Sequence, residues 1–180
     1  MENTMKREVV NKGLSATDVV LVAVLLAAGA VLRLFTPPVF GISPNFVIVM
    51  YCLAIFLIKP RFLEMIFISL VAAAICQVTT KAMIPYINFI SEPIGAIVAY
   101  ALVKMPFKTP FKPAIVTFLG TVASGLVFVS VMKFLILFIN TPKNPAFTGL
   151  LLVVFTTAIA NTIIAQLLYY PIKAATGKQE

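Results

Sequence analysis

The chain has 180 residues, 61% hydrophobic and 11% charged, with 14 Lys and Arg against 6 Asp and Glu. A soluble domain carries roughly 25% charged residues, so a mean hydropathy of +1.07 excludes an ordinary water-soluble globule and points to an all-α, polytopic membrane protein. The cations sit in short breaks between apolar runs rather than on one solvated face, which argues against nucleic acid as a partner and reads as membrane topology.

Residues 1–16 are polar and predict a cytoplasmic tail without a cleavable signal. The first of six predicted spans runs over about Thr17–Phe35. Its Ala23 and Ala27, with Ala30 on the same face, let another helix approach closely; contact inside the bundle and a partner surface both remain open. A stiff outer connection follows, with Pro37, Pro38 and Gly41. Ser43-Pro44 then reads as the cap and first residue of a short second span, about Pro44–Ile58.

Lys59-Pro60-Arg61 ends that span, because proline cannot continue a helix cheaply and cations resist burial. The third span is about Phe62–Val78, the fourth about Pro93–Met105, the fifth about Pro113–Ile139 and the sixth about Phe147–Ile172. The membrane domain is thus expected over residues 17–172, with a second cytoplasmic tail at 173–180.

Charge sets the expected orientation. One side receives Lys6, Arg7, Lys12, Lys59, Arg61, Lys104, Lys108, Lys112, Lys173 and Lys178, and the other Arg33, Lys81, Lys133 and Lys143. The richer side is cytoplasmic by the positive-inside rule, so both termini are expected inside and the connections near 36–44, 79–92 and 140–146 outside. Those outer connections are apolar and aromatic, which suits segments folded over a cavity.

Enzyme chemistry finds no support. There is no histidine, and Asp18, Glu64 and Glu92 are far apart in sequence. No phosphate-binding GxxxxGK[ST] loop occurs, so ATP hydrolysis is not expected in this chain. Cys52 and Cys76 lie in apolar runs and read as reduced core thiols; no metal and no cofactor is expected.

Binding residues are easier to nominate. Arg33, near the outer end of the first span, either snorkels to the interface or clamps a carboxylate. Lys133 interrupts an apolar span and is a second candidate. Glu92 either suits the start of a helix capped by Ser91 and opened by Pro93, or receives a ligand's ammonium group. Asn45, Tyr51, Tyr86, Asn88 and Phe89 would supply aromatic walls and placed polar groups for a flat ligand. Asn161, mid-span, either bonds a neighbouring helix or reaches the ligand.

Six spans in about 180 residues, the Ala-x-x-x-Ala first helix and the absent ATPase motif resemble the substrate-binding (S) components of energy-coupling factor (ECF) transporters. "VLRLFTPPVFGISPNFVIVMYCLAI", "GTVASGLVF" and "ANTIIAQLLYYPI" are similar to the tryptophan-transporter (TrpP-type) members. The resemblance implies capture of a small nutrient, tryptophan foremost, beneath the outer loops of a bacterial cytoplasmic-membrane protein. It also implies docking through Ala23 and Ala27 on a transmembrane coupling protein that carries two ATPase subunits. The alternatives are an S component for a vitamin, a stand-alone secondary carrier using Glu64 or Glu92, and a membrane scaffold without a ligand.

Overall fold

The computed structural model describes residues 13–37, 44–80, 82–138 and 145–177. Pro38, Gly41, Ser43, Lys81, Lys143, Lys178 and most of the N-terminal tail lie outside the described residues. Six α-helices follow one another, with no strand among the described residues: α1 Ala16–Phe35, α2 Phe46–Ile58, α3 Phe62–Thr79, α4 Asn88–Lys104, α5 Lys112–Ile136 and α6 Phe147–Thr176. A 3-10 turn, Pro85–Ile87, leads into α4. This is an all-helical polytopic membrane protein, helices being the regular structure among the described residues.

Local sequence explains the helix limits. Ser15 accepts a hydrogen bond from the Asp18 N–H while the Asp18 carboxylate accepts from the Ser15 N–H, a reciprocal cap that starts α1. Glu64 starts α3 in a similar way: its Oε2 accepts from the Arg61 N–H at 2.7 Å. Its Oε1 accepts from the Leu14 N–H at 3.0 Å, tying the entry of α1 to the entry of α3. Lys59, with φ of 50°, ends α2 in the left-handed region, and Pro60 follows. The Lys112 ammonium donates to the Val103 and Met105 carbonyls and so closes the end of α4.

α2 is the axis of the bundle. It touches each of the other five helices, which form an outer series α1–α3–α4–α5–α6 around it. Every residue from Val47 to Leu57 is buried, so its apolar character has no preferred side. Five helices are long and apolar enough to cross a membrane; α2, with 13 residues, is not. At 1.5 Å per residue it reaches about 20 Å, against a hydrocarbon core of about 30 Å. Because protein surrounds α2, its short length leaves no lipid mismatch. It leaves room inside the bundle beyond its first residue instead.

Glycines set the closest helix approaches. A Cβ built on Gly95 of α4 would lie 2.8 Å from the Gly120 carbonyl oxygen of α5 and 2.8 Å from the Tyr51 hydroxyl of α2. A Cβ on Gly29 of α1 would lie 3.1 Å from the Phe46 carbonyl oxygen, at the start of α2. Small residues at these crossings let backbones meet where lipid supplies no hydrophobic drive.

α4 differs from the sequence expectation. It begins at Asn88, five residues before Pro93, which is therefore inside the helix. Ser91 is consequently not a cap, and Glu92 belongs to the second turn. The preceding 3-10 turn makes the earlier start possible, because the Asn88 N–H bonds the Pro85 and Tyr86 carbonyls.

Candidate functional site

A cavity of about 390 Å³ occupies one end of the bundle. Its walls come from the ends of α1 and α3, the starts of α2, α4 and α6, and α5 from its middle onward. All of these termini belong to the end of the bundle where the α1–α2, α3–α4 and α5–α6 connections run. The start of α1, the end of α6 and the Lys59-Pro60-Arg61 break belong to the opposite end. The cavity occupies the space that the short α2 leaves open, and Asn45 and Ile48 at the start of α2 line it.

The lining divides into two halves. Along α5, Thr121 and Ser124 give way to Phe128, Val129 and Met132, one helical face read toward the connections. Leu150, Val153 and Val154 of α6 continue the apolar wall. The polar half includes Arg33, Asn45, Asn88, Ser91 and Glu92. Arg33 and Glu92 are the two charged residues among the described lining residues. A charge at membrane depth costs about 3 kcal/mol even on an insertion scale, so each needs partners.

Two hydrogen-bonded groups supply them. In the first, an Arg33 Nη1 donates to Asn45 Oδ1 and, at 3.2 Å, to the Cys76 sulfur of α3. The Asn45 N–H donates to Asn161 Oδ1 at 3.0 Å, and Asn161 Nδ2 donates to the Thr121 hydroxyl at 3.2 Å. This group joins α1, α2, α3, α5 and α6. In the second, the Tyr51 hydroxyl of α2 donates to Glu92 Oε2 at 3.1 Å, and the Ser124 hydroxyl of α5 donates to the same oxygen at 3.3 Å. Asp18 and Glu64 serve the starts of α1 and α3, so Glu92 is the carboxylate that the described fold leaves for the cavity.

Arg33, Asn45, Asn88 and Glu92, each nominated from sequence, line the cavity together. Tyr51 and Asn161 are buried behind them and touch the lining through Glu92, Asn45 and Thr121. Three nominated residues lie elsewhere. Tyr86 is 71% and Phe89 41% exposed, because the start of α4 at Asn88 puts 88, 91, 92 and 95 on the inner face and turns 89 outward. Lys133 follows Met132 on α5, one residue off the lining face, and donates to the Pro145 carbonyl just before α6.

Sequence reasoning did not nominate Ser91, Thr121, Ser124 or Cys76 for the site. Ser91 read as a cap and Cys76 as a core thiol. A hydroxyl pair three residues apart, aligned with Phe128 and Met132 on one α5 face, was the available signal. It became informative only once that face was known to look inward.

In α1, Ala23 and Ala27 are exposed and Ala30 is half-buried, while Val22, Leu25, Leu26 and Gly29 pack inward. α1 touches α2 and α3 alone among the helices. No cluster of His, Cys, Asp and Glu able to hold a metal ion occurs among the described residues.

The family model described as "Tryptophan transporter TrpP" matches residues 15–176. A "Probable tryptophan transport protein" of Bacillus subtilis (strain 168) is 31% identical over 163 residues, covering 86% of this chain and 89% of that protein. No solved structure matches the chain. The chain belongs to the TrpP tryptophan transporter family, and it is a multi-pass protein of the cell membrane.

Proposed function

We propose that this chain is the substrate-capturing S component of an ECF-type importer and that its cavity receives tryptophan from outside the cell. The observation that carries this reading is the pairing of one guanidinium and one carboxylate in the same cavity, beside an apolar wall. A free amino acid carries an anionic and a cationic group on one carbon. Arg33 takes the carboxylate and Glu92 the ammonium. Phe128, Val129, Met132 and the α6 side chains cover the indole, and Asn45 and Asn88 complete the polar lining. Tyr51 and Asn161 hold these groups in place from behind. The volume falls in the range of small-molecule pockets.

The excess of cations at the opposite end supports a cytoplasmic location for both termini and an outward-facing cavity. The exposed Ala23/Ala27 face, with Ala30 at its edge, is the surface for a transmembrane coupling protein bearing two ATPase subunits. This chain supplies no phosphate-binding loop of its own.

The chain contains no Trp, so bound tryptophan is directly visible by fluorescence in the purified protein. Saturable emission changes with a micromolar or tighter midpoint are expected; a folded protein that binds no tryptophan overturns the reading. A second reading, a stand-alone proton-coupled carrier, draws on the burial of Glu92 within a span. Uptake that survives loss of the coupling protein and its ATPases, and stops when the proton gradient is collapsed, would establish that alternative instead.

A further inference from the structure

We propose that Ser91 is a substrate contact that makes the site selective for a free ammonium group, its hydroxyl oxygen accepting from the same NH3+ that Glu92 binds. The inference rests on the reading of the cavity as a tryptophan site and adds a specificity determinant to it.

Ser91 lines the cavity, is fully buried, and its Oγ has no hydrogen-bond partner among the described residues. A buried hydroxyl without a partner is costly, and a helix offers a local remedy: donation to the carbonyl three or four residues back. This chain uses that remedy repeatedly. Ser69 bonds the Ile66 carbonyl, Thr79 that of Ile75, Thr156 that of Leu152, and Thr162 that of Ala158. Ser91 does not. Its hydroxyl is left unpaired within its own helix, in a residue that lines the cavity.

The chemistry of the neighbouring residue says what it meets there. An ammonium group has three protons to donate. Glu92 Oε2 already accepts from Tyr51 and Ser124, so the carboxylate cannot satisfy all three. Ser91 is adjacent to Glu92 in the same helix and on the same wall of the cavity. A hydroxyl oxygen there supplies an acceptor without adding a second negative charge to the membrane interior.

The test compares ligands that differ by one charged group: tryptophan, tryptamine (no carboxylate) and indole-3-propionate (no ammonium). Each is titrated against the purified full chain and S91A, weak binders by displacement of tryptophan. S91A is expected to weaken tryptophan and tryptamine about tenfold, the scale of a hydrogen bond to a charged group, and to leave indole-3-propionate unchanged. The unliganded melting temperature should hold or rise, because an unpaired hydroxyl has been removed. In the double variant S91A/E92Q the two losses should be less than additive, because both residues act on one group.

Equal losses for all three ligands, no loss for tryptophan, or full additivity with E92Q would each overturn the proposal, as would a lower melting temperature without ligand. A hydroxyl that merely holds a water would give no difference between tryptophan and indole-3-propionate. Failure of the unsubstituted chain to bind tryptophan would instead reject the underlying functional reading. Binding that S91A leaves intact rejects only the role of Ser91.

Discussion

Tyr51 and Glu92 meet across the α2–α4 interface, the phenol donating to the carboxylate at 3.1 Å with both side chains buried. The contact joins the axis of the bundle to the wall of the cavity. It also makes Glu92 a fixed group, whose Oε2 is held by a donor from α2 and another from α5.

Tyr51→Phe removes the first donor while keeping the ring. A hydrogen bond to a charged group is worth about 1.5–3 kcal/mol, so the variant should melt several degrees lower in detergent. Its tryptophan affinity should also fall, by less than for Glu92→Gln, because Ser124 still orients the carboxylate. Thermal unfolding and fluorescence titration of the same samples check both expectations.

Arg33 donates to Asn45 and to Cys76 at once. Lysine offers one ammonium in place of a planar fork. Arg33→Lys and Arg33→Gln should therefore both weaken tryptophan, by about tenfold or more for a lost charge-assisted contact. Tryptamine, which has no carboxylate to clamp, should be affected far less. Equal losses for the two ligands would remove Arg33 from its assigned role.

Much of the fold was legible in the sequence. Six apolar runs and the basic Lys59-Pro60-Arg61 break place the helices to within a few residues, α4 excepted. Pro93 misled there, because proline is tolerated inside a membrane helix when surrounding structure accommodates it. Part of the cavity lining was legible, because Arg33, Asn45 and Glu92 are charged or amide side chains at the edges of apolar runs. Tyr86 and Phe89 lie off the cavity lining, which sequence does not reveal because aromatic residues near a membrane interface look alike whichever face they occupy. Hydroxyls such as Thr121 gave too little contrast with ordinary helix-bonded ones.

Gly95 offers a stability prediction with an internal control. An added Cβ would press on the Gly120 carbonyl, the Ser124 Cβ and the Tyr51 hydroxyl, all at 2.8 Å. Gly95→Ala should destabilise by about 1–3 kcal/mol and weaken substrate binding, because both displaced side chains hold Glu92. Gly149→Ala, where nothing lies within 4 Å of the new atom, should be neutral or stabilising by up to about 1 kcal/mol. Denaturation midpoints in one detergent compare the two directly.

If the chain is an S component as proposed, a substitution at Ala27 should separate capture from delivery. Ala27→Phe enlarges an exposed α1 residue that takes no part in the cavity lining. The purified variant should bind tryptophan as the parent does, whereas uptake by cells containing the coupling protein should drop severely. Undiminished uptake would mean that the coupling protein docks elsewhere.

The way α2 is embedded carries an electrical consequence. Continuing from the cavity floor, it forms a core with every residue from Val47 to Leu57 sealed by neighbouring helices. Tyr51 is occupied with Glu92, and beyond Cys52 the helix reads Leu-Ala-Ile-Phe-Leu-Ile. An ion entering the cavity would find no chain of ligating groups along this helix toward the opposite face. α2 thus contributes a dielectric plug and no polar relay between the cavity and the opposite end of the bundle.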